Sequence, residues 1–303
     1  MEETLYLRQA RLVLKILPLI ERYPIFALKG GTALNFFIRD LPRLSVDIDL
    51  TYTPFDDRAT ALAAIATALE GLKGDIERLM PNSVVMTKRL QGSTVTLMVK
   101  ADGVMVKVEP NLILRGTIFQ PVTLSLKKRV EDLFGMSVRV RTLASAEIYG
   151  GKICAALDRQ HPRDLFDIKL LLDDEGLTDA IRKSFIVHLI SHDRPMAELL
   201  DPNFTDLKKA FTADFEGMTL VKVSPEELEE ARARLVTAIR KDMTDKERRF
   251  ILSLKKGDPE WELIELEGVD RLPAVRWKLL NVRKMDKAKH RQALRRLEKC
   301  LGR

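Results

Sequence analysis

Two aspartates separated by one residue, Asp47 and Asp49, sit in the segment Ser45-Val-Asp-Ile-Asp-Leu-Thr51. The alternation of Val46, Ile48 and Leu50 with the two aspartates has a period of two, which predicts a β-strand. On a strand, residues i and i+2 project from the same face. Both carboxylates therefore stand side by side above an apolar underside. Like charges held that close repel, and a divalent cation relieves the repulsion. Mg²⁺, with its preference for carboxylate oxygen, suits such a pair. Thr32 lies fifteen residues upstream of Asp47, in Lys29-Gly-Gly-Thr-Ala-Leu34. There a glycine turn follows the apolar run Ile25-Phe-Ala-Leu28 and opens a helical pattern. Such a turn presents backbone N–H groups to an anion, phosphate included. Lys29, Gly30, Gly31, Thr32 and Ser45 are thus candidates for holding a nucleotide. A phosphate cradle followed by metal-binding carboxylates points to phosphoryl or nucleotidyl transfer.

A second alternating run, Val104-Met-Val-Lys-Val-Glu109, places Lys107 and Glu109 on one strand face. Glu109 is the candidate third carboxylate, as metal ligand or as the base that deprotonates an attacking hydroxyl. Further along, Ser145-Ala-Glu-Ile-Tyr-Gly-Gly-Lys152 begins a helix in which Glu147 and Lys152 are polar among apolar neighbours. The paired glycines 150 and 151 lower helix propensity and signal close packing or close approach of a ligand. Pro162-Arg-Asp-Leu-Phe-Asp167 starts another helix, with Pro162 at a favourable first-turn position and Arg163 and Asp167 spaced to pair.

These motifs, Gly-Gly-Thr followed by Asp-x-Asp, resemble the nucleotidyltransferase superfamily. The wording from Lys29 to Leu50 is similar, more narrowly, to the AbiEii/AbiGii toxin family of bacterial toxin–antitoxin systems. The helix carrying Lys152 and the Arg163-Asp-x-x-Asp167 motif fit the same family. The resemblance implies an Mg²⁺-dependent enzyme that uses NTP to add nucleotides to RNA, with the tRNA 3′ end as the target, so that translation stops. It implies a cognate antitoxin as partner. It gives Lys152 a charge-stabilising role at the triphosphate, Asp164 a site-forming one, and Arg163 and Asp167 supporting ones. Two other expectations stay open: transfer to a small molecule or a protein side chain, and a nucleotide-binding partner protein without turnover.

The elements that must position these residues change character along the chain. Helical patterns cover residues 5–22, 32–39 and 56–73, and strands 25–29, 45–51, 84–90, 93–99, 104–108 and 138–141. From residue 142 the pattern is almost wholly helical. The expected fold is α/β (α+β): a nucleotidyltransferase-like mixed sheet with helices over residues 1–141, then a helical half over 142–303 that completes the active site. Composition, 46% hydrophobic and 31% charged, is that of a globular chain. No apolar run is long enough to span a membrane. The N-terminus lacks a secretory pattern, and two distant cysteines, Cys154 and Cys300, suggest neither disulfide nor zinc site, so a cytoplasmic location is expected.

The formal charge of +7 is concentrated at one end. Residues 281–303 hold nine Lys and Arg against two acidic residues, which leaves the first 280 balanced. A basic helix of that density suits RNA phosphates. Trp261 and Trp277, in helical patterns just upstream, are expected to be core residues.

Overall fold

The computed structural model describes residues 4–302. It divides into two compact units. The first comprises residues 1–148 and 217–221, and the second residues 149–216 and 222–303. The change of character read at residue 142 differs from this division in two ways. The first unit runs through the start of the next helix, and a short segment returns to it, where Leu44 N donates to Met218 O and Arg43 bridges Thr219.

The first unit is built on a mixed sheet of seven strands: β1 (Phe26–Lys29), β2 (Asp47–Tyr52), β3 (Val84–Leu90), β4 (Ser93–Ala101), β5 (Val104–Asn111), β6 (Val122–Ser125) and β7 (Arg139–Thr142), in the order β3-β4-β5-β2-β1-β7-β6. β2 runs parallel to β5 and antiparallel to β1, and β1 runs parallel to β7. Period-two alternation sorts the side chains. Ile48, Leu50, Leu97, Val99, Val106 and Val108 are buried, with α1 (Leu5–Ile20) packed on β5 and α3 (Arg58–Leu79) on β4. The residues between them, Asp47, Asp49, Lys107 and Glu109, take the opposite face and are only partly covered. Thr4 caps the start of α1 and Asp57 the start of α3 through side-chain acceptors.

Between β1 and β2 the helical segment begins at Gly30, two residues before the expected start. It comprises α2 (Gly30–Ala33) and a π-helical turn over Leu34–Ile38. The turn is closed by Arg39 N donating to Leu34 O at 2.8 Å, five residues back. β6 and α4 (Lys128–Phe134) were not evident in the sequence. α4 ends at Gly135, whose φ of +63° suits a residue without Cβ.

α5 (Ser145–Asp158) begins in the first unit and continues into the second. The second unit is helical: α6 (Pro162–Asp174), α7 (Asp179–Ser191), α8 (Met196–Leu200), α9 (Lys208–Asp214), α10 (Pro225–Asp242), α11 (Asp245–Lys256), α12 (Pro273–Arg283) and α13 (Lys287–Cys300). Capping boxes start α10, with Ser224 and Glu227, and α11, with Thr244 and Glu247. A Cβ on Gly150 would lie 2.7 Å from the backbone nitrogen of Phe185. The glycine pair in α5 is therefore explained by close packing on α7. Trp261 packs on Phe250 with ring centroids 5.8 Å apart. Trp277 contradicts the expectation of a core residue: its side chain is 64% exposed. α12 buries Ala274, Val275 and Val282 instead, which turns position 277 outward. Among the described residues, no helix is long and apolar enough to cross a membrane.

Candidate functional site

The register of three neighbouring strands assembles the first group of site residues. Asp49 is paired with Glu109 on β5 and with Lys29 on β1, and Asp47 is paired with Lys107. Side chains at paired positions share a face. The sheet therefore carries a row Glu109–Asp49–Lys29 beside a row Lys107–Asp47, which places three carboxylates together with a lysine at either side. The buried Ile48 between the aspartates fixes both on the open face, since a one-residue slip would bury the carboxylates.

The glycine turn is shaped to this row. Gly30 has a φ of +71°, a region that favours glycine, and a Cβ added there would lie 2.5 Å from Asp49 Oδ2. Gly31 is equally hemmed in: its Cβ would lie 2.7 Å from Arg43 Nη2 and 3.0 Å from Ser45 Oγ. Backbone and carboxylate approach more closely than any other residue types would permit. Arg43 was missed by the sequence reading. It is buried, its Nη1 donates to Leu44 O at 2.9 Å, and its guanidinium backs the glycine turn. The one signal was a cation in the otherwise apolar turn Leu41-Pro-Arg-Leu44.

Thr32 and Ser45 are placed differently from what a phosphate-binding role expects. Both are buried. The Thr32 hydroxyl donates to the Asp47 carbonyl at 2.5 Å, and the two hydroxyls share a hydrogen bond of 2.9 Å. They latch the helix start to the entrance of β2, and so set where Asp47 stands.

Glu109 is in register with Asp49, yet its carboxylate accepts a hydrogen bond from Lys107 Nζ. Among the described residues, no three His, Cys, Asp or Glu side chains converge as a metal-holding group. The Asp47/Asp49 pair, all oxygen donors on one partly exposed face, fits a hard divalent cation. Glu109 stands next to that pair and is engaged by a lysine.

Glu147 is a further buried acid in the first unit. Its carboxylate accepts from Ile118 N at 3.1 Å and Phe119 N at 3.2 Å. Burial pushes its pKa up to about 7, against the backbone donors and the charge of Lys29.

The second unit brings together another group of expected residues. Lys152 Nζ lies 2.9 Å from Asp164 Oδ1 and 3.1 Å from Asp167 Oδ2, and all three are buried. Arg159, outside the expected set, donates to both oxygens of Asp164. Burial opposes ionisation of Asp164, but Lys152 and Arg159 overcome it and hold the carboxyl well below the usual carboxylate range. Arg163, one residue before Asp164 on α6, is half-buried. His161 caps this helix, its Nδ1 accepting from Arg163 N. A cavity of about 410 Å³ in the first unit is lined by Lys15, Met80, Ser83 and Asp102 among others, and by none of the site residues.

The basic segment forms α12 and α13. Lys284, Lys287, Lys289, Arg291, Arg295 and Lys299 are exposed. α13 is anchored by Leu297, by His290 Nε2 at 2.7 Å from Lys255 O, and by Arg296 at 3.4 Å from Glu198.

The family described as "Nucleotidyl transferase AbiEii toxin, Type IV TA system" matches residues 12–281. No curated protein matches. Among solved structures, the chain is similar to MenT4, a nucleotidyltransferase toxin from Mycobacterium tuberculosis H37Rv. The TM-score is 0.59 at 16% identity, over 92% of this chain and 93% of that one. That likeness shows a shared fold. The family match covers most of the chain, which therefore belongs to the AbiEii nucleotidyltransferase toxins of type IV toxin–antitoxin systems.

Proposed function

We propose that this AbiEii-family enzyme transfers nucleotides from an NTP to the end of an RNA, the tRNA 3′ end being the target in this reading, with Mg²⁺ held by Asp47 and Asp49. The observation that carries it is the fit of Gly30 against Asp49. The backbone of the turn and the carboxylate lie so close that a phosphate on the turn's N–H groups and a cation on the carboxylates would be neighbours. When bound, the cation would neutralise phosphate charge and orient the triphosphate.

In this reading Gly30 and Gly31 offer main-chain N–H groups to the triphosphate, and Lys29 adds positive charge beside Asp49. Thr32, Ser45 and Arg43 hold that turn in place from behind. Lys107 holds Glu109 next to the aspartates, where Glu109 serves as third ligand or as the base that takes the proton from the attacking hydroxyl. That hydroxyl attacks the α-phosphate and pyrophosphate leaves. Lys152 is given charge stabilisation on the triphosphate, as the family resemblance implies, with Asp164, Asp167 and Arg163 supporting it. The exposed cations of α13 supply attraction for an RNA acceptor. The antitoxin implied by the family is a protein or gene product that counters this activity, and arrested translation is the consequence of blocked tRNA ends.

The test is incubation of the protein with each labelled NTP, Mg²⁺ and total tRNA. Label should appear on tRNA with one or two of the four NTPs, and should be lost with Asp49→Ala. Label on the protein itself or on a small molecule, with tRNA unlabelled, would refute the RNA acceptor and leave the enzyme class standing.

A further inference from the structure

Trp277 is the most exposed large apolar side chain among the described residues, at 64%. It lies on α12, whose inner face is taken by Ala274, Val275 and Val282. At helical spacing, the outward stripe runs through Trp277, Leu280, Asn281 and Lys284. Leu280 is 47% exposed and Met285, just beyond the helix, is 36% exposed. The chain from Leu272 to Met285 holds Arg276, Lys278, Arg283 and Lys284 and no acidic residue. Three of these cations are fixed in place by backbone carbonyls: Arg276 by Asp270 O, Arg283 by Gly257 O, and Lys278 by His192 O and Arg194 O. Lys278 is turned inward onto those carbonyls, burial lowering its pKa to about 8, so the cations that α12 shows to solvent near Trp277 are Arg276, Arg283 and, just beyond the helix, Lys284. The first acid after the stripe, Asp286, is used as the cap of α13, accepting from Ala288 N and Lys289 N.

We propose that Trp277 is a base-stacking platform for a single-stranded segment of the RNA acceptor, with the cations of α12 and α13 tracking its phosphates. This rests on the RNA reading above and adds a residue to it. A solvated indole between cations is the combination that single-stranded nucleic acid uses, because every base offers a π-face and every linkage a charge. Trp, Met and Arg also suit a protein interface, but four cations and no carboxylate between Leu272 and Met285 favour a polyanion. A second copy of the chain would bring one cationic face against another.

Stacking and phosphate contact separate experimentally, because only the second releases counterions. Binding of a 12-nucleotide oligoadenylate, and of a tRNA, is measured against salt by anisotropy for the wild type and Trp277→Ala. The variant should bind about tenfold more weakly with an unchanged log–log slope. Trp277→Phe should recover part of the loss. With only two tryptophans in the chain, Trp261→Phe leaves Trp277 as sole reporter. Its fluorescence should be quenched by oligoadenylate and not by inorganic polyphosphate, which carries charge without bases. Wild-type protein that binds neither RNA overturns this proposal together with the RNA acceptor. Wild-type binding with no effect of Trp277→Ala and no base-dependent quenching overturns this proposal alone. So does a change of oligomeric state in Trp277→Ala by light scattering, which makes the stripe a contact between copies.

Discussion

Gly30 and Asp49 are mutually fitted: a single added methyl on the glycine would sit 2.5 Å from the carboxylate oxygen. The methyl would also be strained by the backbone, since Gly30 has a φ of +71°. Gly30→Ala should therefore displace Asp49 as well as the turn. The expected outcome is loss of transfer by more than a hundredfold, with a stability decrease of only about 1–2 kcal/mol. Transfer kinetics together with urea unfolding check it. Near-normal activity would mean that neither the turn nor Asp49 is held at the reacting atoms.

Asp47 and Asp49 lie on the open face of β2, and the strand is held from its other face by Ile48 and Leu50. Asp47→Asn and Asp49→Asn should thus leave folding within about 1 kcal/mol of the wild type. Each should abolish transfer, and chelation of Mg²⁺ should do the same to the wild type, reversed by adding the metal back. The two-aspartate assignment fails if either asparagine variant transfers nucleotide at the wild-type rate in Mg²⁺.

The Thr32 hydroxyl is buried and bound to the carbonyl of Asp47. Thr32→Val keeps the shape and removes that hydrogen bond to the Asp47 carbonyl. It should destabilise by about 0.5–1.5 kcal/mol and reduce kcat more than it raises KM for NTP. Thr32→Ser should restore most of both. A pure KM effect would instead put the hydroxyl on the nucleotide.

How legible all this was in the sequence varied with the kind of signal. β2 and β5 were evident because alternation is a local pattern, and the Asp47/Asp49 face followed from it. The row Glu109–Asp49–Lys29 was not evident, because the register between β1, β2 and β5 is a property of pairing across the sheet. The π-helical turn after Ala33 escaped because its five-residue hydrogen bond leaves no periodic mark in five residues. β6 escaped because three of its four residues are exposed, which erases the alternation. A tryptophan in a helical pattern reads as core, and Trp277 departs from that reading. Only the neighbours that fill the inner face of α12 show why.

Lys152 is clamped by Asp164 and Asp167, and Arg159 shares Asp164 Oδ1 with it while also holding Oδ2. Removing the ammonium takes away a cation that two buried carboxylates share, while Arg159 stays on Asp164. Lys152→Ala should cost about 3 kcal/mol, the lower end of the penalty for breaking a buried ion pair, because one cation remains. Loss of activity in this variant is interpretable only at a temperature where it is folded. The Asp164 carboxyl has its pKa depressed, so its stabilisation is present above the unfolded value and is lost as pH falls through the folded one. The gap between wild type and Lys152→Ala should accordingly narrow only below the unfolded value of 3.8, measured by urea unfolding at pH 5 and at about pH 2.5. A gap that is constant with pH would mean that the lysine contributes packing and not charge.

Glu147 has the opposite sign. Its pKa is pushed up to about 7 by burial, although Ile118 N, Phe119 N and Lys29 favour its charged form. An acid whose folded pKa is raised binds more protons in the native state than in the unfolded one. Its contribution is therefore fully present below the unfolded value, near 4.5, and is lost as pH rises through about 7. The span from 4.5 to about 7 limits the effect to roughly 3 kcal/mol. Glu147→Gln keeps one oxygen able to accept from the loop and removes the ionisation. The variant should unfold at nearly the same temperature at pH 8 and pH 5.5 as far as this site is concerned, whereas the wild type should lose stability at pH 8. The difference between the two proteins should grow between pH 5.5 and pH 8, in favour of the glutamine. If glutamine is instead the less stable at pH 8, the carboxylate is ionised in the fold and its hydrogen bonds to the 118–119 backbone, with Lys29 nearby, outweigh its burial.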